Sequence, residues 1–319
     1  IDTEVDNRSK KILDVGAIKA DGSTYHDKTL HYLWKYLNGT EYLGGHNVIY
    51  HDLKYLNGAY SLFDTHKFKV IDTLYLSALL FPQKPYHKLV KDDKLSTDEP
   101  NNPVNDSIKA QELFYDELND FQNLDDPLKN IFACLLKPQK EFNGFFEYIS
   151  FEPSLNGNLQ EQIKEYFNGR ICSKAPVNKI IERKPIDLAY ALALINTNDR
   201  ESITPPWIVK NYPAVEPILH LLRNKPCRQG CVYCNQSLDA KKALKKYFGF
   251  DQFRTYEGEP LQEKAVNAAI ENKSLLAIFP TGGGKSLTFQ LPALMAGENS
   301  RGLTVVISPL QSLMKDQVD

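Results

Sequence analysis

The 319 residues carry 38 basic and 40 acidic side chains and are 42% hydrophobic and 24% charged, the balance of a globular chain long enough for two domains. A net charge of −2 excludes a uniformly basic coat, although a basic groove on a neutral body remains compatible with nucleic-acid binding. No apolar run reaches the ~18 residues of a membrane span and no secretory leader opens the chain, so no membrane partner is expected.

The chain begins on Ile and stops soon after a glycine loop, so a piece of a longer protein is expected. Over residues 1–120 strands and helices alternate. ILDVGAIKA (Ile12 to Ala20) predicts a buried strand, Asp21-Gly22 a hairpin turn, and a second strand runs up to Gly44-Gly45. Asp52 to Tyr60 predicts a helix, and Pro103 opens another in which Val104, Ile108 and Leu113 recur at helical spacing. From about 121 to 225 the pattern is helical and irregular, broken at Pro205-Pro206. From about 240 a new unit is predicted: a helix before Phe248, another from Gln262 to Glu271, the strand LLAIF (275–279), a glycine loop, a helix, and the strand LTVVIS (303–308). KKALKK (Lys241 to Lys246) reads as a solvated helix face, with nucleic-acid contact as the alternative. There is no internal repeat or low-complexity tract. The expectation is an α/β protein in three parts: 1–120, a helical linker over 121–240, and 241–319.

Asp2 and Glu4 lie at i and i+2 in IDTEV, a spacing that on a strand aims both carboxylates to one face. GHNVIYHDLKYL places Asp52 at a helix start, and NNPVNDSIKAQELF places Asp106 one turn into another. Four carboxylates from a strand and two helices suit two Mg²⁺ (or Mn²⁺) ions, which stabilise the attacking and leaving oxygens of a phosphodiester displacement. A nearby histidine then takes the proton of the attacking water.

In this order the three motifs resemble the DEDDh exonucleases related to the DnaQ proofreading subunit, over residues 1–120. The resemblance implies a ribonuclease H-like fold, 3′→5′ removal of nucleotides, and Asp2, Glu4, Asp52 and Asp106 as metal ligands. The family places its histidine five residues before the last Asp, where Asn101 stands here; His87 lies earlier, in PYHKLVKDD. Either LSTDEPNNP is an insertion between His87, as general base, and Asp106, or Asp92 is the fourth ligand. NDSIKAQELF keeps the family's helix pattern and favours Asp106. A plain surface histidine is the bland reading of His87.

FPTGGGKS follows an apolar run and precedes a helix, the setting of a phosphate-binding loop. Backbone N–H groups over Thr281, Gly282, Gly283 and Gly284 would close on phosphate oxygens, Lys285 would reach the β/γ-phosphates and Ser286 would hold Mg²⁺. The strict pattern wants Gly where Phe279 stands. YFGFDQFR (Tyr247 to Arg254), FPTGGGKSLTFQLPAL and VVISPLQSLMKDQV (Val305 to Val318) together resemble motifs 0, I and Ia of the RecQ helicases. The resemblance implies a partial RecA-like lobe, ATP as ligand, Phe250 stacking on adenine, Arg254 and Gln262 as its polar partners, and DNA as partner. The link TYEGEPL is longer than the family's, while Gln262 keeps its expected distance from Pro280. No DExH box, later motif or second lobe is present, so ATP binding without unwinding is expected of this stretch.

PCRQGCVYCN supplies Cys227, Cys231 and Cys234 among five cysteines, an odd number with three crowded together. That favours a reducing compartment and metal chemistry over a disulfide frame. The C-x3-C-x2-C spacing matches radical-SAM enzymes, but no barrel follows. A structural Zn²⁺ is expected, with a fourth ligand from His220, Cys172 or elsewhere; an iron–sulfur site or unmetallated thiols are the alternatives. Cys134, in IFACLL, is expected in the core. Together these readings describe a bacterial-type, cytoplasmic, nucleoid-associated nuclease–helicase of DNA repair and recombination, acting on single-stranded 3′ ends and duplexes. The alternatives are an ATP- and nucleic-acid-binding helicase with an inactive exonuclease-like scaffold, and an exoribonuclease.

Overall fold

The structure is a computed structural model that describes residues 1–6, 8–59, 67–89, 102–154, 157–197, 204–227 and 229–307. The chain divides into two compact units, the first made of Ile1–Phe167, Pro176–Thr197 and Thr204–Ile218, the second of Asn168–Ala175, Asn198–Ile203 and Leu219–Asp319.

In the first unit β1 (Asp2–Val5), β2 (Ile12–Ile18) and β3 (Thr24–Asp27) form an antiparallel sheet with β2 in the middle. Asp2 faces Gly16 and Glu4 faces Asp14, and the register shifts after Glu4. The β2–β3 turn falls at the expected Asp21-Gly22: Asp21 Oδ1 accepts the Ser23 N–H at 2.9 Å, and Gly22 takes φ +83°, a left-handed conformation glycine adopts without Cβ strain. β4 (Tyr42–Gly45) and β5 (Lys69–Asp72) pair in parallel. Ile1 N donates to Gly44 O at 2.7 Å, which lays the start of β1 beside β4. Val15, Ala17, Leu43, Val48 and Leu56 are buried in the core that covers these strands, Leu56 coming from α2 (Asp52–Ala59).

One helix matters most for position. α4 (Pro103–Asn123) is capped by Asn102, whose Oδ1 accepts the Val104 N–H at 2.9 Å, with Pro103 in the first turn. Its buried face is Pro103, Ser107, Ala110, Glu117 and Phe121, not the Val104–Ile108–Leu113 stripe that apolarity alone predicts. Small residues win because the helix start touches β2: a Cβ on Gly16 would lie 2.2 Å from Pro103 C and Val104 N. The Ser107 hydroxyl lies 3.0 Å from Gly16 O and 2.8 Å from Pro103 O. Gly16→Ala is expected to cost about 1–3 kcal/mol or more by forcing that helix off the sheet. Urea unfolding followed by tryptophan fluorescence checks this for the first unit alone, since Trp34 and Trp207 are the chain's two tryptophans and both lie there.

A helical layer completes the unit. α9 (Pro185–Asn196) is buried on nearly every side, as its continuous apolar sequence requires, and Tyr190 within it packs edge-on to Tyr212 and Trp207 and donates to Tyr75 O at 3.2 Å.

The second unit holds α13 (Ala240–Phe248), α14 (Leu261–Ile270) and α15 (Lys285–Ser300), packed around Leu244, Val266, Leu291 and Met295. Lys241, Lys245 and Lys246 of the basic run pair with Glu263, Asp251 and Glu298 at 3.3, 2.8 and 2.5 Å. Among the described residues the stretches 275–279 and 303–307 join no ladder, so the strands expected at 275–279 and 303–308 are not seen there, and Ser308 lies outside the described residues. Leu276 is 88% exposed and Ile307 91%. β-propensity makes these runs suitable for a sheet, but a strand exists only where a neighbour takes its N–H and C=O groups. Among the described residues no helix is long and apolar enough to cross a membrane.

Candidate metal centres and phosphate loop

The first cluster is acidic. β1 presents Asp2 and Glu4 on one face, and the first turn of α4, held on β2 by Gly16 and Ser107, brings Asp106 to them. One carboxylate oxygen from each lies within 4.8 Å of the others, a span that accommodates a hard cation with ~2.1–2.6 Å bonds to oxygen. Burial pushes Asp2 from the ordinary 3.8 up to about 7; Asp52, Asp106 and Glu4 add repulsion, and the Ile1 ammonium opposes the rise.

Asp52 sits behind this group. It is 1% exposed, and its Oδ1 accepts both the Thr3 N–H and the Thr3 hydroxyl at 2.7 Å, so it fixes β1 between Asp2 and Glu4. Its oxygens are not among those gathered within 4.8 Å. His51 Nδ1 lies 3.6 Å from Asp52 Oδ1, and that carboxylate raises the imidazole's pKa.

His87 is elsewhere. It is 4% exposed, its Nδ1 is 3.0 Å from Ser77 Oγ on α3 (Thr73–Leu80), and burial pushes its pKa down to about 4. It is thus neither a surface histidine nor part of the gathered carboxylates. Asp92 and Asn101 lie outside the described residues. Two residues passed over in the sequence organise the loop before Asp52. Asp72, buried at the N-cap of α3, accepts N–H groups from Asn47 at 2.8 Å, Ile49 at 3.1 Å and Leu74 at 3.1 Å. His46 Nδ1 meets Thr73 Oγ1 at 3.0 Å. An Asp-Thr pair ahead of an apolar helix is a capping signal that would have exposed the first of these.

In the second unit the glycine loop is tied from three sides. Arg254 Nη1 donates to Gly282 O at 2.8 Å, Gln262 Nε2 to Gly284 O at 3.0 Å, and the Tyr256 hydroxyl to Gly283 O. Gln262 Oε1 also accepts the Arg254 N–H at 2.9 Å, so the pair expected to bind a base supports the loop itself. The long TYEGEPL link is absorbed by a tight turn: Tyr256 and Glu259 exchange backbone hydrogen bonds at 2.9 and 2.8 Å around Glu257 and Gly258, at φ +50° and +84°. Lys285 Nζ donates to Phe279 O at 3.1 Å, closing across the loop it was expected to serve, and Ser286 follows it in the first turn of α15. Phe250 is 54% exposed. Phe279, in place of the strict glycine, is buried against the Tyr256 ring at 5.1 Å. Thr281 opens the turn that Gly283 N–H closes onto Pro280 O at 3.0 Å.

The third group is the cysteines. Cys227, Cys231 and Cys234 are joined by Cys172, all four sulfurs within 4.8 Å of one another, and His220 is not in the group. Cys134, on α5 (Asp126–Leu136), is part-buried and separate.

Residues 259–319 match the family model described as DEAD/DEAH box helicase. The chain is 49% identical to rat ATP-dependent DNA helicase Q5 over 80 residues, 25% of this chain and 7% of that protein. It is 49% identical to Bacillus subtilis ATP-dependent DNA helicase RecQ over 80 residues, 25% of this chain and 12% of that protein. Over 58 residues it is 55% identical to Schizosaccharomyces pombe ATP-dependent DNA helicase hus2/rqh1, 18% of this chain and 4% of that protein. No solved structure matches. The chain therefore spans 12% or less of the length of each of these relatives, and its helicase portion, which includes residues 259–319, is similar to RecQ-type helicases.

Proposed function

We propose that this protein is a DNA-processing nuclease–helicase, in which residues 1–120 form a metal-dependent 3′→5′ exonuclease of DEDDh type, ribonuclease H-like in fold, and the C-terminal portion binds ATP as the start of a RecQ-type motor. The observation that carries the nuclease reading is the convergence of Asp2, Glu4 and Asp106, three carboxylate oxygens within 4.8 Å of one another. The donor set is acidic and all oxygen, so it fits Mg²⁺ or Mn²⁺. Divalent cations held there supply the charge that stabilises both oxygens of a phosphodiester displacement.

The chain's own residues do the rest. Asp2, Glu4 and Asp106 hold the cations, and Asp52 keeps β1 in place through Thr3 while adding negative charge. Asp72 orders the turn that delivers Asp52. At the other site, Gly282 and Gly284, at φ +73° and +67°, bend the loop, the Gly283 N–H is engaged by Pro280 O, and Lys285 must leave Phe279 O to reach a phosphate. ATP and Mg²⁺ follow for that site from the helicase match.

One observation favours the inactive-scaffold reading: the histidine expected as general base is buried against Ser77. The two readings separate in a single assay with 5′-labelled single-stranded DNA and RNA side by side and Mg²⁺ or Mn²⁺. Stepwise shortening of the DNA supports the proposal, shortening of RNA alone makes the protein an exoribonuclease, and intact substrates with both metals make the N-terminal unit a scaffold.

A further inference from the structure

We propose that Cys172, Cys227, Cys231 and Cys234 bind one Zn²⁺ as a closed four-thiolate site that fastens residues 168–175 to the 219–237 stretch of the same unit. The four sulfurs lie within 4.8 Å of one another, and Cys172 Sγ is 3.9 Å from Cys231 Sγ. Tetrahedral Zn²⁺ with ~2.3 Å bonds to sulfur sets neighbouring thiolates ~3.8 Å apart, so the spacing is that of one shared ion. A disulfide needs ~2.05 Å, and all four cysteines are free. A four-iron cluster spreads its thiolates around a cube of iron and sulfide, wider than this group.

The surroundings are built for thiolates. Cys227 Sγ accepts the Cys231 N–H at 3.3 Å and Cys234 Sγ accepts the Cys227 N–H at 3.5 Å, contacts that orient the ligands. Gly230, at φ +63°, makes the turn between Cys227 and Cys231. Cys172 comes from 59 residues earlier than Cys231, and its N–H donates to Leu222 O at 2.7 Å, which holds it beside the other three. Four protein ligands leave no open position, so the ion is structural rather than catalytic. The four thiols meet only in the folded chain, so the free energy of binding the ion adds to the stability of this part of the fold.

The test uses the full chain, purified without added metal. Elemental analysis is expected to give about one zinc per chain, and titration with p-hydroxymercuribenzoate to release it as four thiols react. Cys172→Ser should lose most of the zinc, while Cys134→Ser keeps it. Should Cys172→Ser fail to fold, the wild-type release curve still decides. Iron with visible absorption, a chain that takes up no zinc when refolded with it, or equal zinc loss in Cys134→Ser would overturn the proposal.

Discussion

Asp106→Ala is expected to slow removal of 3′ nucleotides by more than 100-fold, while Asp92→Ala leaves the rate within about twofold. Loss of a mere outer-shell partner of a metal ligand costs ~10–100-fold, and loss of a ligand itself costs more. Asp106 shares the 4.8 Å grouping with Asp2 and Glu4 because α4 begins flush against Gly16, with Ser107 locked to the same strand. Asp52→Asn should be milder than Asp106→Ala if its main task is to hold Thr3, since an amide oxygen still accepts the two Thr3 bonds. Rates from gel-resolved time courses, with circular dichroism to verify folding, give the ranking. Equal rates for wild type and Asp106→Ala would assign the fourth carboxylate elsewhere.

Asp2→Asn is expected to stabilise the metal-free first unit at pH 8 while removing its response to Mg²⁺. Asp2 is raised from 3.8 to about 7, chiefly by burial, so the folded state binds its proton more tightly than the unfolded state does. The stability this proton contributes is fully present below about pH 4 and is lost as pH rises through about 7, a ceiling of about 4 kcal/mol at 1.36 kcal/mol per unit. Above that pH the carboxylates repel, and a bound cation offsets the repulsion. Thermal melts read by Trp34 and Trp207 should therefore show Mg²⁺ raising Tm more at pH 8 than at pH 6 in wild type, and at neither pH in Asp2→Asn. A Tm that rises with Mg²⁺ equally at both pH values would contradict this account of the cluster.

Local signals made much of the first unit legible. The β2 strand, the Asp21-Gly22 turn and the Pro103 helix start each rest on a few adjacent residues, and each is where the sequence places it. The carboxylates were legible for the same reason: i and i+2 on a strand is a local statement, and Asp106 needed only the helix beginning at Pro103. What failed was non-local. LLAIF and LTVVIS carry strand-like residues, yet pairing depends on neighbours the pattern cannot supply. His87 sits among charged residues in PYHKLVKDD, and only Ser77 on α3 and the burial of the ring show that it faces inward. Cys172 stands beside His220 among the fourth ligands the sequence offers for Cys227, Cys231 and Cys234, and only the fold selects Cys172. Tyr256 was visible only as part of an extra-long link, and its role is to clamp Gly283.

Catalysis at a metal site of Asp2, Glu4 and Asp106 is decided by incubating 5′-labelled single-stranded DNA with the wild-type chain and with Asp2→Ala, each in Mg²⁺, in Mn²⁺ and in EDTA. A ladder of progressively shorter DNA is expected for wild type with either metal, with none in EDTA and none for Asp2→Ala. The same ladder from Asp2→Ala, or full-length DNA in every lane, would rule that site out.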